Sequence, residues 1–198
     1  EPPKPAKCVK SYRNPVRQGL PGAGRRLHTL AIMTTQANTD QATSRSTVDA
    51  REIEAFSAVA SHWWDQNGPF KPLHLLNPTR LGYLRDSLAA HFDRDAATER
   101  PLDGLEIADV GCGGGLVTEP LARMGADMTG IDASGEAIDV ARDHAEAMDL
   151  SITYRNNAIE DLVAQGKQFD ALVAMEIVEH VADRAAFVAA CCACVRPG

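Results

Sequence analysis

The stretch IADVGCGGGLVTEPLA, residues 107–122, decides the fold of this chain. An apolar run containing Asp109 leads into a glycine cluster, and a segment with helical spacing follows. Gly111, Gly113 and Gly115 form a G-x-G-x-G pattern, in which the missing side chains let the backbone pass close to a ligand. The stretch therefore predicts a strand, a ligand-binding turn and a helix in succession.

Similar units repeat along the rest of the chain. Short apolar runs that predict strands (LEIADVG, ADMTGID, SITYRN and FDALVAME) alternate with segments of helical spacing. This alternation predicts an α/β fold, in which helices cover both faces of a parallel sheet. Ligands bind such sheets outside the carboxyl ends of the strands. The chain stops at Pro197-Gly198, where another strand is expected, so we interpret it as a fragment whose C-terminal strands are missing.

The segment before this pattern predicts helices. VDAREIEAFSAVA (48–60) has apolar residues at helical spacing, and a second helix is expected to begin at Pro78 with Asn77 as its N-cap. Trp63 and Trp64 are adjacent, so both cannot face one core from a regular helix. We expect either that one packs on the sheet while the other forms an apolar lid, or that local distortion lets both pack in the core.

A basic and polar leader occupies residues 1–47. Its first 39 residues carry seven Lys or Arg and one acid, whereas the whole chain has a net charge of -7. Its Pro and Gly content and its lack of apolar periodicity predict disorder. Three interpretations stay open: an organellar presequence, translated sequence upstream of a start at Met33, or a plain tail. The second is favoured, because Pro and Gly disrupt the amphipathic helix of a presequence.

The composition argues against several classes of protein. A net charge of -7 does not suit a general nucleic-acid binder. No apolar run approaches the roughly 20 residues that span a bilayer. Of the five cysteines, Cys191 and Cys194 have a metal-ligand spacing, but no second pair follows. We therefore expect small buried thiols on a helix instead of a structural zinc site.

The glycine turn matches neither common phosphate-binding motif. A dinucleotide fingerprint would need glycine where Leu116 stands, and a P-loop would need a lysine. Asp132 ends the second predicted strand, about 20 residues beyond the glycines, where an acid accepts the hydroxyls of an adenosine ribose. Because a carboxylate repels a pyrophosphate, Asp109 and Asp132 favour a nucleoside that carries positive charge, such as S-adenosylmethionine.

A family resemblance follows from these motifs. DVGCGGG followed by GID resembles motifs I and II of the class I methyltransferases, which implies a Rossmann-like α/β sheet. FKPLHLLNPTRLGYL (70–84) and MEIVEHV (175–181) are similar to the ubiquinone-pathway O-methyltransferases of the UbiG type. The resemblance runs from Ile53 to Gly198 and does not include the leader.

The resemblance implies a domain organisation and a function. Residues 48–100 are expected to form a helical lid, and 101–198 an S-adenosylmethionine-binding domain that is incomplete at its C-terminus. The implied reaction is O-methylation of polyprenyl catechol or 3-demethylubiquinol hydroxyls. A polyprenylated substrate implies peripheral membrane contact, and a quinone-synthesis complex is an expected partner. We expect a cytoplasmic location at the inner membrane, or the mitochondrial matrix side if the leader is a presequence.

Particular residues take roles through this resemblance. The coenzyme is expected to contact Arg80, Gly111, Gly113, Asp132, Asn157 and Met175, with weaker support for Ala158. Arg80 suits the methionine carboxylate, and the thioether of Met175 suits the adenine face. The family's magnesium site implies Glu176, Glu179 and His180 as ligands, which share one face if that segment is helical. His180 stays open as either a ligand or the catalytic base.

Two rival functions stay open. One is another class I methyltransferase that modifies nitrogen or carbon of a small molecule, and it would be insensitive to metal chelators. The other is a coenzyme-binding scaffold without turnover in a quinone-synthesis complex.

Overall fold

Helices and strands alternate from the glycine turn onward, as the sequence predicts. The computed structural model describes Thr47 and residues 50–197, apart from the side chains of 50–52. The predictions for the leader, including Met33, lie outside these described residues. The elements are α1 (Ala50–Ser57), a 3-10 turn (Ala60–His62), α2 (Lys71–His91), β1 (Glu106–Val110), α3 (Thr118–Arg123), β2 (Asp127–Asp132), α4 (Gly135–Ala147), β3 (Thr153–Asn156), α5 (Ile159–Ala164), β4 (Ala171–Val173) and α6 (Arg184–Ala193).

The four strands form one parallel sheet in the order β3-β2-β1-β4. Asp109 of β1 lies opposite Gly130 of β2, and Ile107 lies opposite Ala171 of β4. The chain extends from β1 to β2 and β3 on one side and returns to the other side with β4, so the strand order reverses at β1. Ligands bind parallel sheets at such a reversal, and the glycine turn follows β1 directly. The α/β prediction is confirmed.

Both faces of β1 are buried, because successive side chains of a strand point to opposite faces. Ile107 packs with Leu84 of α2 and Leu121 of α3. Its neighbour Ala108 packs on the other face with Phe187 of α6. Helices therefore cover the sheet on both sides, which explains why its strands read as apolar runs without polar alternation.

Helix α2 begins earlier than the sequence predicts. It starts after Phe70, with Pro72 in its first turn, and it continues through Pro78. A proline in the first turn is a correct signal for the start of a helix, but the proline that marks the start of α2 is Pro72 and not Pro78. Asn77 is no N-cap, since its side-chain amide donates to the carbonyl of Leu116 at 2.7 Å. Tertiary contacts of this kind stabilise α2 although Pro78 lacks one backbone donor.

Two other elements are shorter than their patterns. The first helix covers Ala50–Ser57 and gives way to a 3-10 turn, so the predicted helix over 48–60 is only partly confirmed. The fourth strand has three residues in place of the eight of FDALVAME. Before β4, the N–H of Phe169 donates to the carbonyl of Cys194 at 2.8 Å, so this position pairs with the end of α6 instead of with β1.

The cysteines near the C-terminus behave as apolar side chains. Cys194 is fully buried in the core between α5 and α6. Burial raises the pKa of the Cys191 thiol to about 12. A thiol binds a metal ion as the thiolate, so a raised pKa disfavours a metal site at this pair. Cys191 lies on α6 and is half-buried, whereas Cys194 is buried at the C-cap of α6, so the prediction of buried thiols on a helix is confirmed only in part.

Two glycines provide a matched test of this packing. Gly115 has a φ of +90°, and an added Cβ would lie 2.4 Å from the hydroxyl oxygen of Tyr154. Gly115→Ala should therefore lower the free energy of unfolding by about 2 to 4 kcal/mol. Gly82 lies in α2 with nothing within 4 Å of an added Cβ, so Gly82→Ala should raise it by about 0.5 to 1 kcal/mol. Urea unfolding measures both, and equal effects of the two substitutions would contradict the packing described for the turn.

Candidate functional site

A cavity of about 410 Å³ opens at the carboxyl ends of the strands, where the strand order reverses. Its volume lies in the range of small-molecule sites. The lining includes every residue predicted to contact the coenzyme: Arg80, Gly111, Gly113, Asp132, Asn157 and Met175. Glu176 and His180 also line it, whereas Glu179 is not among the lining residues. The sequence therefore located the site, with one of the proposed metal ligands outside it.

The turn after β1 is tied to β2 by backbone hydrogen bonds. The N–H groups of Gly111 and Cys112 both donate to the carbonyl of Ile131, at 2.8 and 3.0 Å. Gly113 has a φ of +51°, and its N–H donates to the Asp132 carboxylate at 2.9 Å. A side chain at Gly113 would overlap the ring of Trp63, 2.4 Å away. Glycine is required here both by the backbone conformation and by close packing.

Asp132 connects three elements of the site. Its Oδ2 accepts from Gly113 in the turn, and its Oδ1 accepts from the N–H of Ser134 at 2.8 Å, where α4 begins. Burial raises the pKa of Asp132, and these backbone donors partly oppose that rise. Each carboxylate oxygen accepts more than one hydrogen bond, so both keep capacity for ligand hydroxyls. The carboxylate is thus fixed in orientation before any ligand arrives.

A second acid lies beneath the turn. Asp109 is 2% exposed and accepts a hydrogen bond from the Thr118 hydroxyl at 2.6 Å. Its pKa is raised to about 6, mainly by burial, with a smaller rise from the charge of Asp132 and an opposing effect of Thr118. Two carboxylates at one turn disfavour an anionic ligand and favour a cationic one. This potential supports the preference for a cationic nucleoside over a phosphate.

Both tryptophans pack in one apolar cluster at the glycine turn, after a 3-10 turn has interrupted the helix, so the expectation that local distortion lets both pack in the core is confirmed. Trp63 stacks on Phe70 with ring centroids 3.8 Å apart and lies against Gly113 and Gly114. The indole N–H of Trp64 donates to the carbonyl of Gly114 at 3.0 Å. The N-terminal helices are therefore joined to the turn that forms the floor of the cavity.

A buried polar chain behind Trp64 was not predicted. The Trp64 ring stacks on His144 of α4, with centroids 3.5 Å apart. His144 Nδ1 lies 2.7 Å from the carboxylate of Glu119, which is 2% exposed, and Arg123 lies at 3.5 Å. A lone acid within TEPLAR and a lone histidine in α4 give no local sequence signal, because their relation depends on the packing of two helices.

The proposed metal ligands do not share a helical face. The segment after Met175 is a turn, in which the N–H of His180 donates to the carbonyl of Ile177 at 2.9 Å. Glu176 has a φ of +55°. Among the described residues, no group of three His, Cys, Asp or Glu side chains is placed to hold a metal ion. The helical premise is therefore wrong, and the described arrangement does not fit a magnesium ion.

Arg80 has a protein partner within the cavity wall. Its Nη2 lies 2.6 Å from Oε1 of Glu176, and the Arg80 side chain is 12% exposed. The family resemblance implies the coenzyme as the partner of Arg80 and a metal ion as the partner of Glu176. The structure instead joins these two residues, which lie 96 positions apart in the chain.

Comparisons with known proteins show what this chain is similar to. The methyltransferase domain family matches residues 108–198. Over 154 residues the chain is 53% identical to the ubiquinone biosynthesis O-methyltransferase of Mesorhizobium japonicum, a match that covers 78% of this chain and 62% of that protein. It is 51% identical over 153 residues to the protein of the same name from Cereibacter sphaeroides, covering 77% and 62%. The chain is therefore similar to ubiquinone biosynthesis O-methyltransferases, and its residues 108–198 match a methyltransferase domain.

The chain spans 62% of the length of those two curated relatives. Its fold is shared with the solved magnesium protoporphyrin IX methyltransferase of Synechocystis PCC 6803 with bound S-adenosylmethionine. That likeness has a TM-score of 0.60 at 19% identity and covers 77% of this chain and 74% of the other. At this identity the likeness shows the fold alone, and it confirms the Rossmann-like sheet.

The ends of β3 and β4 complete the cavity. Asn157 follows β3, and its N–H donates to the carbonyl of Asp132 at 3.1 Å. Met175 follows β4, and its half-buried side chain lies between the cavity and the core beneath α2 and α3. His180 lines the opposite wall, with its ring edge on to Phe56 at 5.2 Å. The wall therefore combines an amide, a thioether and an imidazole.

The raised pKa of Asp109 predicts a pH-dependent stability. The folded state binds a proton on the Asp109 carboxyl group more tightly than the unfolded state does. Ionisation of Asp109 therefore lowers the free energy of unfolding, and this loss grows as the pH rises from about 4 to about 6 and is complete above that range. Asp109→Asn removes the charge and keeps an acceptor for Thr118. The stability gained by this substitution should increase by up to about 3 kcal/mol between pH 4 and pH 7.

Urea unfolding at several pH values measures this difference between the variant and the wild type. Asp139→Asn is the control, because the Asp139 side chain is 74% exposed on α4. A stability difference for Asp109→Asn that stays constant with pH would contradict the described environment of Asp109.

Proposed function

We propose that this chain is the coenzyme-binding part of an S-adenosylmethionine-dependent O-methyltransferase of ubiquinone biosynthesis. Its substrates are the hydroxyl groups of polyprenyl catechol or 3-demethylubiquinol intermediates. The names of the curated relatives support the substrate class. One observation carries the proposal: two backbone N–H groups orient the carboxylate of Asp132 beside the glycine turn. A second acid, Asp109, lies at the same turn.

The coenzyme occupies the cavity with its ribose at Asp132. The two carboxylate oxygens accept the two ribose hydroxyls, as acids at this position do in nucleotide-binding sheets. Asn157 and Ala158 flank the adenine, and Met175 packs on its face. The methionine end then extends along the glycine turn towards Arg80, whose guanidinium binds the carboxylate. The charges of Asp109 and Asp132 favour the sulfonium and ammonium groups of this ligand.

S-adenosylmethionine supplies an activated methyl group on a sulfonium. The hydroxyl oxygen of the acceptor bonds to the methyl carbon while the methyl–sulfur bond breaks, and the hydroxyl proton passes to a base. His180 takes that proton, because its imidazole lines the cavity and imidazole is a common general base. The other contribution of the chain is to hold the two substrates in line, which accounts for a large part of such rate enhancements.

An apolar wall suits the acceptor. Phe56, Phe70 and Leu73 of the N-terminal helices line the cavity opposite Ile177 and Phe187. Such a surface covers an aromatic ring and the first part of a prenyl chain, and it also excludes water from the reacting atoms.

Membrane contact and location follow from the substrate and belong to the proposal. Among the described residues, no helix has both the length and the apolar character that crossing a bilayer requires. A polyprenylated acceptor partitions into the bilayer, so the protein meets it at the membrane surface. We place the protein in the cytoplasm at the inner membrane, or on the matrix side if the leader is a presequence, with a quinone-synthesis complex as partner.

Calorimetry tests the coenzyme assignment. S-adenosylhomocysteine should bind the wild-type chain, and Asp132→Asn should weaken binding about tenfold or more, because a charged acceptor of two hydroxyls is lost. Asp139→Asn, on the exposed side of α4, is the control and should bind like the wild type. Tight binding of NADH or ATP, with no heat from S-adenosylhomocysteine, would overturn the proposed function.

Methyl transfer from radiolabelled coenzyme to a prenylated catechol tests the reaction. His180→Ala should reduce turnover at least about a hundredfold, because general-base catalysis contributes that much. Glu179 is exposed, so Glu179→Ala should leave turnover unchanged in the described arrangement. Parallel assays with EDTA and with added magnesium test the metal that the family resemblance implies. If turnover is lost both in Glu179→Ala and with EDTA, the reaction requires a metal ion. The proposal that His180 acts as the base without a metal would then be wrong.

A further inference from the structure

The ion pair between Arg80 and Glu176 crosses the cavity wall. It joins α2 to the turn after β4, and both side chains line the space that the coenzyme and its acceptor share. The two partners differ in environment, since the Arg80 side chain is 12% exposed and that of Glu176 is 52% exposed. Arg80 therefore loses most of its hydration on folding, whereas Glu176 keeps about half of its access to water.

This asymmetry determines which partner is exchangeable. A covered guanidinium requires an anion at all times, because an unpaired buried charge is strongly unfavourable. A half-exposed carboxylate regains its hydration when it leaves, and exposed ion pairs contribute little to stability. An incoming carboxylate therefore replaces Glu176 at small cost, and Arg80 stays paired throughout the exchange.

The backbone at Glu176 also distinguishes this residue. Its φ of +55° is in the left-handed region, which is unfavourable for a non-glycine residue. The residue directly follows Met175, beyond the carboxyl end of β4, so this turn presents a carboxylate in the cavity wall.

We propose that the coenzyme carboxylate displaces Glu176 from Arg80, and that the released Glu176 then accepts a hydrogen bond from the catechol hydroxyl beside the reacting one. This inference rests on the proposed function, since it needs a coenzyme with an amino-acid end. Glu176 is thus both a competitor of the coenzyme and a positioning group for the acceptor. The exchange orders the two binding steps, because the acceptor meets a free carboxylate only after the coenzyme is bound.

Glu176→Gln gives an unusual expected result. It removes the competing charge, so S-adenosylhomocysteine should bind about fivefold more tightly than to the wild type. 5′-Methylthioadenosine, which has no amino-acid end, should bind both proteins equally. Glu146→Gln removes an exposed acid on α4 and is the matched control, with unchanged affinity for both ligands. Calorimetry measures all six affinities, and thermal unfolding checks that each variant folds.

The second step is tested with catechol as the acceptor. Its affinity for the wild-type chain should rise several-fold when S-adenosylhomocysteine is bound, and Glu176→Ala, which removes the hydrogen-bond acceptor that Gln would keep, should lose most of this gain. A gain that survives in the variant would overturn the positioning role.

The other outcomes separate the two proposals. The exchange at Arg80 is wrong if Glu176→Gln leaves the affinity for S-adenosylhomocysteine unchanged or weakens it. It is also wrong if the affinity for 5′-methylthioadenosine changes by the same factor. In each of these cases the coenzyme assignment stands. If the wild-type chain binds neither ligand, the proposed function fails and the exchange fails with it.

Discussion

The carboxylate of Asp132 is the interaction on which the site depends. It accepts backbone N–H groups from the glycine turn after β1 and from the first residues of α4, so it fixes two loops relative to the end of β2. Backbone donors hold a carboxylate more rigidly than flexible side chains do, and an acid held in this way needs little rearrangement when a ligand arrives. The glycines satisfy the other half of this constraint, since a side chain at Gly113 would overlap Trp63.

The charge at the turn restricts the class of ligand. Asp109 and Asp132 lie close enough for the charge of one to raise the pKa of the other, and burial raises both. This arrangement costs stability in the absence of a ligand. A cationic nucleoside offsets that cost, whereas a pyrophosphate would increase it. The two carboxylates therefore explain why Asp109 destabilises the ligand-free protein and why the turn carries no phosphate-binding motif. They also agree with the similarity of the chain to methyltransferases.

Much of the fold was predictable because its signals are local. Apolar runs buried on both faces marked the strands, and the spacing of the glycines and of Asp132 marked the site before any contact was known. The start of α2 was wrong because Pro72 and Pro78 carry the same local signal, and only the contacts of Phe70 and Asn77 distinguish them. Local patterns of this kind locate an element better than they fix its ends.

The unpredicted parts of the site all depend on long-range packing. Glu119 and His144 lie 25 positions apart, and Arg80 and Glu176 lie 96 apart. Each residue alone reads as an ordinary surface charge. The predicted metal site needed residues 176–180 to form a helix, so that its three ligands would share one face. Glu176 has a left-handed backbone conformation, which is incompatible with that helix.

A crystal structure of the chain with S-adenosylhomocysteine tests the central claim most directly. The account predicts both ribose hydroxyls within hydrogen-bond distance of the Asp132 carboxylate, with the amino-acid end along residues 111–115. A nucleoside bound elsewhere, or a ribose that makes no contact with Asp132, would contradict it.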